Sequence, residues 1–233
     1  MFLGVGEYII ISSCVKGHYN NKGLIFYISC LSKYGADIKE ANLLKVLPAK
    51  VRYDLIWNDE VDSLTVSSLS EEDLKNYTMS SCDIMFNGRI PARLQVNFLD
   101  DMSYEVSLLF NYSALIDEEV SPDKTKTNAE LVETLGIDLF REIKPIYGMI
   151  SVERSVCGMN EISSDECLLP SDKAFYSQVI VDCAKDVIEP ILQKSKYVKI
   201  IENVGIFFRK TEVDDFKLLE EESAVLSKIK KFL

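Results

Sequence analysis

The chain has 233 residues, 47% hydrophobic and 27% charged, the balance of a chain that folds around a core and does not stay disordered. Its 37 acids against 26 bases leave a formal charge of −11, which repels nucleic acid and anionic membrane and steers basic proteins inwards. A fold of this length buries roughly 70% or more of its unfolded surface, so neither a metal nor a disulfide is needed to hold it.

Residues 7–15 are apolar and β-branched, the pattern of a buried strand. Ile11-Ser12-Ser13-Cys14 has the letters of a lipoprotein cleavage box, but residues 1–14 carry no Lys or Arg and Glu7 interrupts the apolar run, so no such signal is expected. Residues 18–23 read as a turn, and Leu24, Tyr27, Ile28 and Leu31 fit helical spacing. Residues 50–112 read mainly as strands. Val51, Tyr53, Leu55 and Trp57 alternate with polar neighbours, residues 64–68 form another short strand, and Ser70-Glu71-Glu72-Asp73 looks like a helix start. The clearest hairpin joins residues 92–99 to 103–111 through Asp100-Asp101-Met102.

Residues 117–128 are polar, carry Ser121-Pro122-Asp123, and read as a linker or long loop. A helix follows over 129–143, with Leu131, Leu135, Leu139 and Ile143 in register and Pro145 closing it. Residues 147–152 form a strand and 154–172 a loop. Residues 175–194 read as strand or helix at the start and as helix later, with Pro190 ending or kinking the helix. A second hairpin spans 197–209. Residues 212–233 read as a terminal helix, acidic at its start and lysine-rich at its end, with Leu226 in the middle of an apolar stripe. The sum is an α+β fold: antiparallel hairpins forming a mixed or antiparallel sheet, with helices packed on one face. One domain over 1–233 is expected, divisible into a strand-rich 1–120 and a mixed 128–233.

The six cysteines stand at 14, 30, 82, 157, 167 and 183 with no Cys-x-x-Cys. Cys14, Cys30, Cys82 and Cys183 lie in apolar contexts, where Cys behaves as a small hydrophobe, so reduced thiols and a cytoplasmic location are expected. His18 is the single histidine, which excludes two-histidine metal sites and leaves any Ser–His or Cys–His pair only that one base. Gly4-Val5-Gly6 lacks the strand and third glycine of a dinucleotide loop. Pro122-Asp123 with Glu142-Ile143-Lys144 resembles the signature of metal-dependent nucleases, in which two acids hold a divalent metal and the lysine assists the water.

No catalytic residue, metal ligand or cofactor is assigned. The expectation is a non-catalytic, acidic protein-binding protein, most concretely an immunity-type inhibitor of a bacterial toxin. Its partner is a basic protein, with neither nucleic acid nor membrane as target. The candidate contact residues are Trp57, Asp59, Glu60 and Asp62; Asp100 and Asp101; and Asp117, Glu118 and Glu119. Trp57 counts because tryptophan is enriched at binding hot spots. The alternatives are a divergent metal-dependent nuclease or hydrolase and a structural subunit of a phage or secretion assembly.

Overall fold

Strand β1 (Tyr8–Lys16) lies at the centre of the sheet, paired antiparallel with β6 (Ser103–Asn111) on one side and β7 (Tyr147–Val152) on the other. Cys14 is wholly buried in it, so the residues that spell a cleavage box form a core strand. The computed structural model of the chain describes residues 7–17, 22–44, 61–65, 79–116, 121–163, 169–170, 172–216, 221–222, 224–225 and 228. Among them, β2 (Ala36–Leu44), β3 (Val61–Thr65), β4 (Met79–Phe86) and β5 (Ile90–Asp100) extend the sheet beyond β6. Beyond β7 it continues through β9 (Ala174–Ser177), β11 (Gly205–Arg209) and β10 (Tyr197–Ile201). The ten-strand order is β10-β11-β9-β7-β1-β6-β5-β4-β2-β3, and every pairing is antiparallel. The protein is α+β.

Strand periodicity sends alternate residues to opposite faces, and both faces are buried near the centre. One face carries Ile9, Ile11, Leu108, Ile150, Phe175 and Phe207. Helices α1 (Lys22–Ser32) and α3 (Pro122–Ile143) cover it with Leu24, Tyr27, Leu31, Val132, Leu135 and Phe140. The other face carries Cys14, Tyr147, Met149, Tyr176, Ile206 and Phe208. It packs against α4 (Met159–Ser163), α5 (Gln178–Cys183) and α6 (Lys185–Lys194) through Met159, Ile162, Ile180, Ile188 and Ile191. Helices therefore lie on both faces, one layer more than the sequence pattern announced. A four-residue α2 (Tyr112–Leu115) follows β6, and β8 (Leu169–Pro170) pairs with β12 (Glu221–Glu222).

The 100–103 hairpin, the α1 helix, the 147–152 strand and the 197–209 hairpin stand where the pattern placed them. Four expectations about helix and loop boundaries are corrected. The linker beginning at 117 becomes helix at Pro122, because Ser121, Pro122 and Asp123 occupy the N-cap, first position and first turn, where those residue types favour a helix start. The loop over 154–172 contains α4 and β8. Pro190 lies inside α6 and does not end it, since the helix runs on to Lys194; the helical stretch divides at Ala184.

The terminal helix does not begin at Glu212: Thr211–Phe216 is irregular and Glu221–Glu222 is strand. The Arg209 guanidinium donates to the carbonyl of Thr211 and the Lys173 ammonium to that of Val213, both at 2.7 Å. These two side chains hold the segment on an irregular path where propensity favours a helix. Leu226, the strand around Trp57, the helix start at Ser70 and the turn at His18 lie outside the described residues. No helix among the described residues is long and apolar enough to cross a membrane.

Cys14, Cys30, Cys82 and Cys183, the four in apolar contexts, are free thiols. Burial pushes the Cys14 and Cys82 thiols up to about 12. Cys157 is disulfide-bonded, with its partner outside the described residues, which corrects the expectation that all six cysteines are reduced. It sits in an irregular loop after β7, half-buried against the apolar cluster that holds Cys14, with its backbone amide and carbonyl both bonded to the Tyr147 hydroxyl.

Candidate functional site

The tip of the β5–β6 hairpin is the candidate contact site that the described residues contain in full. Asp100 fixes its shape. Its Oδ1 accepts from the Met102 amide at 2.8 Å and the Ser103 hydroxyl at 2.7 Å, and its Oδ2 accepts from the Asn160 amide at 2.9 Å. Ser103 in turn accepts from the Met159 amide at 3.0 Å, and the Gly17 amide donates to the Met102 carbonyl at 2.7 Å. Gly158 permits this approach, because a Cβ there would stand 2.4 Å from Asp100 Oδ2. The turn is thus clamped between β1 and α4. Asp101 projects from it into solvent beside Met102, whose side chain is 37% exposed.

Asp100 and Asp101, alike in sequence, have different jobs. The first spends its carboxylate inside the fold. The second carries an exposed charge on a rigid turn. Of the other candidate residues, Trp57, Asp59, Glu60, Asp117, Glu118 and Glu119 lie outside the described residues. Asp62 falls on β3, where its backbone pairs opposite Leu43 of β2.

Behind the tip a polar row crosses the same sheet face. Glu105 is almost wholly buried and accepts from Ser12 Oγ at 2.5 Å and from Asn97 Nδ2 at 3.0 Å. Ser12 Oγ also accepts from the Val156 amide at 3.0 Å, tying the loop after β7 to the central strand. These contacts satisfy the Glu105 carboxylate, while Asn97 Oδ1 stays buried without a hydrogen-bond partner.

On the opposite face lies an ionic cluster that the sequence reading missed. Lys173, just before β9, is 1% exposed, donates to the Val213 carbonyl and stands 4.0 Å from the Phe216 ring centroid. Arg209 at the end of β11 forms a 3.0 Å ion pair with Glu133 of α3. Burial pulls the Lys173 ammonium down to about 8, opposed by Glu133 and Asp172. Burial raises the Glu133 carboxyl, opposed by Arg209 and Lys173. A lysine sealed this far from solvent cannot meet a substrate as the fold stands, so the cluster acts as a clamp on residues 211–216. Only contacts from distant elements create it, and no local motif could have announced it.

The nuclease-like letters are not brought together. Asp123 lies in the first turn of α3 and Glu142 near its end, about 28 Å apart along one helix. Two ligands so placed cannot share an ion. Among the described residues, no group of three or more His, Cys, Asp or Glu side chains is placed to hold a metal. No protein-family model, curated protein or solved structure matches the chain.

Proposed function

We propose that the protein works by binding another protein without catalysis, most concretely as an immunity-type inhibitor that neutralises a basic bacterial toxin. The observation supporting this reading is the hairpin tip, where Asp101 is exposed beside Met102 on a turn held by Asp100, Ser103 and Gly17. A charged and apolar pair on a fixed turn loses little entropy on binding. The charge of −11 would speed the approach of a basic partner. Trp57, Asp59, Glu60 and Asp62, and Asp117, Glu118 and Glu119, are further contacts in this reading.

The four free thiols favour a reducing compartment such as the cytoplasm, whereas the disulfide at Cys157 weighs the other way. The test is capture with the intact chain as bait, followed by growth rescue. Host cells expressing the captured partner should die unless the chain is co-expressed, and an Asp101→Lys chain should protect less well. A partner that is harmless alone, or whose toxicity the chain fails to relieve, overturns the inhibitor reading.

A further inference from the structure

We infer that β10 is a docking edge for an extended segment of a partner protein in which apolar and acidic side chains alternate. This goes beyond the functional reading and does not rest on the hairpin tip. Among the described residues β10 pairs with β11 alone and so ends the sheet, leaving one edge of its backbone open to another strand. It also carries three of the six exposed large hydrophobics found among those residues: Ile200 at 78%, Val198 at 41% and Tyr197 at 37%. Val198 stands opposite Phe208 and Ile200 opposite Ile206, so both belong to the face that α5 and α6 cover further in. The apolar face thus runs past its own cover at this edge. A strand added about 4.8 Å outside β10 would set alternate side chains beside Val198 and Ile200.

Charge selects the occupant. Residues 194–201 hold Lys194, Lys196 and Lys199 and no acid, a local reversal in a chain of −11. Lys196 is engaged by Glu212 at 2.5 Å, while Lys194 and Lys199 have no ion-pair partner among the described residues. An incoming strand with acidic residues on its alternate positions would meet Lys199, which β10 itself carries. A second copy of the chain fits less well. Antiparallel self-pairing that sets Val198 against Ile200 also sets Lys199 against Lys199, and like charges directly opposite are unfavourable.

The probe is an acetylated nine-residue peptide of alternating valine and glutamate, compared with the same peptide carrying lysine for glutamate. Binding is read by fluorescence anisotropy and by hydrogen exchange at residues 197–201. The acidic peptide should protect those amides and bind at least tenfold more tightly than the basic one, and Lys199→Glu should reverse that preference with an unchanged melting curve. Asp101→Lys should leave peptide capture intact, which separates this surface from the hairpin tip. Absence of protection by either peptide at millimolar concentration overturns the inference. So does a preference unmoved by Lys199→Glu, or a concentration-dependent dimer that buries β10.

Discussion

The Lys173 ammonium donates to the carbonyl of Val213, 40 residues further along the chain, at 2.7 Å and almost fully out of water. A cation in that position costs desolvation, and the contact holds a segment that would otherwise have helical carbonyls of its own to satisfy. Glu133, Asp172, Arg209 and Asp215 complete its electrostatic surroundings. Because burial favours the neutral amine, the cluster leaves a signature in the pH dependence of stability.

The sign of that signature follows from proton counting. The folded chain releases the Lys173 proton near pH 8 and the unfolded chain near 10.5, so between them the unfolded state binds more protons and stability rises with pH. The buried Cys14 and Cys82 thiols oppose this: their folded values are raised, so stability present below the unfolded thiol range is lost as pH climbs towards about 12. Comparison with Lys173→Met cancels the cysteines. The stability of the natural chain minus that of Lys173→Met should rise by about 3 kcal/mol from pH 7 to pH 11. Urea unfolding of both proteins across that range measures it, and a difference that stays flat would remove Lys173 from the account.

The thiols make a second, chemical prediction. Iodoacetamide treatment of the native protein followed by peptide mass mapping should leave Cys14 and Cys82 unmodified, since both are wholly buried and held as neutral thiols. In urea both should react. Cys157 should react only after reduction, because its sulfur is already in a disulfide. Alkylation of Cys157 without reductant would restore the expectation of six free thiols.

Gly148 offers a test of the sheet centre. A Cβ there would lie 2.7 Å from the carbonyl oxygen of Ser12, an atom of the central strand that cannot rotate away. Gly148→Ala should therefore destabilise the fold by about 1–3 kcal/mol, the usual range for forcing volume into a packed interior. Thermal unfolding measures it. An unchanged melting temperature would mean that β1 and β7 lie further apart than described.

What could be read from the sequence follows from the range of the interactions involved. The apolar run at Ile9–Ile11 and the hairpin at Asp100–Met102 depend on neighbours in the chain, and both stand as expected. The turn between β4 and β5 is equally local. Asn87-Gly88 is a strong hairpin signal, and both residues adopt positive φ, 50° and 69°. Where a helix was expected from 212, the Lys173 ammonium arrives from 40 residues away to hold the Val213 carbonyl, a contact no local pattern carries. The stripe expected on α3 was right at Leu135 and Leu139, but Val132 and Phe140 are buried where Leu131 and Ile143 reach only the rim. At the candidate site the sequence could point to two adjacent acids; the contacts of Asp100 with Met102, Ser103 and Asn160 distinguish them.

That distinction is the last prediction. Asp100 accepts from two backbone amides and a hydroxyl, so Asp100→Ala removes the acceptor and leaves the Met102 and Asn160 amides to find water at a clamped turn. A loss of about 2–3 kcal/mol is expected, since hydrogen bonds to a charged group contribute more than neutral ones. Asp100→Asn should lose less, because one oxygen can still accept at the turn. Asp101→Ala should change stability by less than about 0.5 kcal/mol, as its side chain is exposed and the turn is held by its neighbour. Functionally the order reverses. Against a partner taken from the growth-rescue assay, Asp101→Lys should slow association and reduce its salt dependence while the melting curve stays in place. Asp100→Asn should keep most of the association rate, because its charge already faces inwards. Equal loss of stability in Asp100→Ala and Asp101→Ala would show that the tip is not clamped as described. Unchanged association in Asp101→Lys would move the contact surface away from this hairpin.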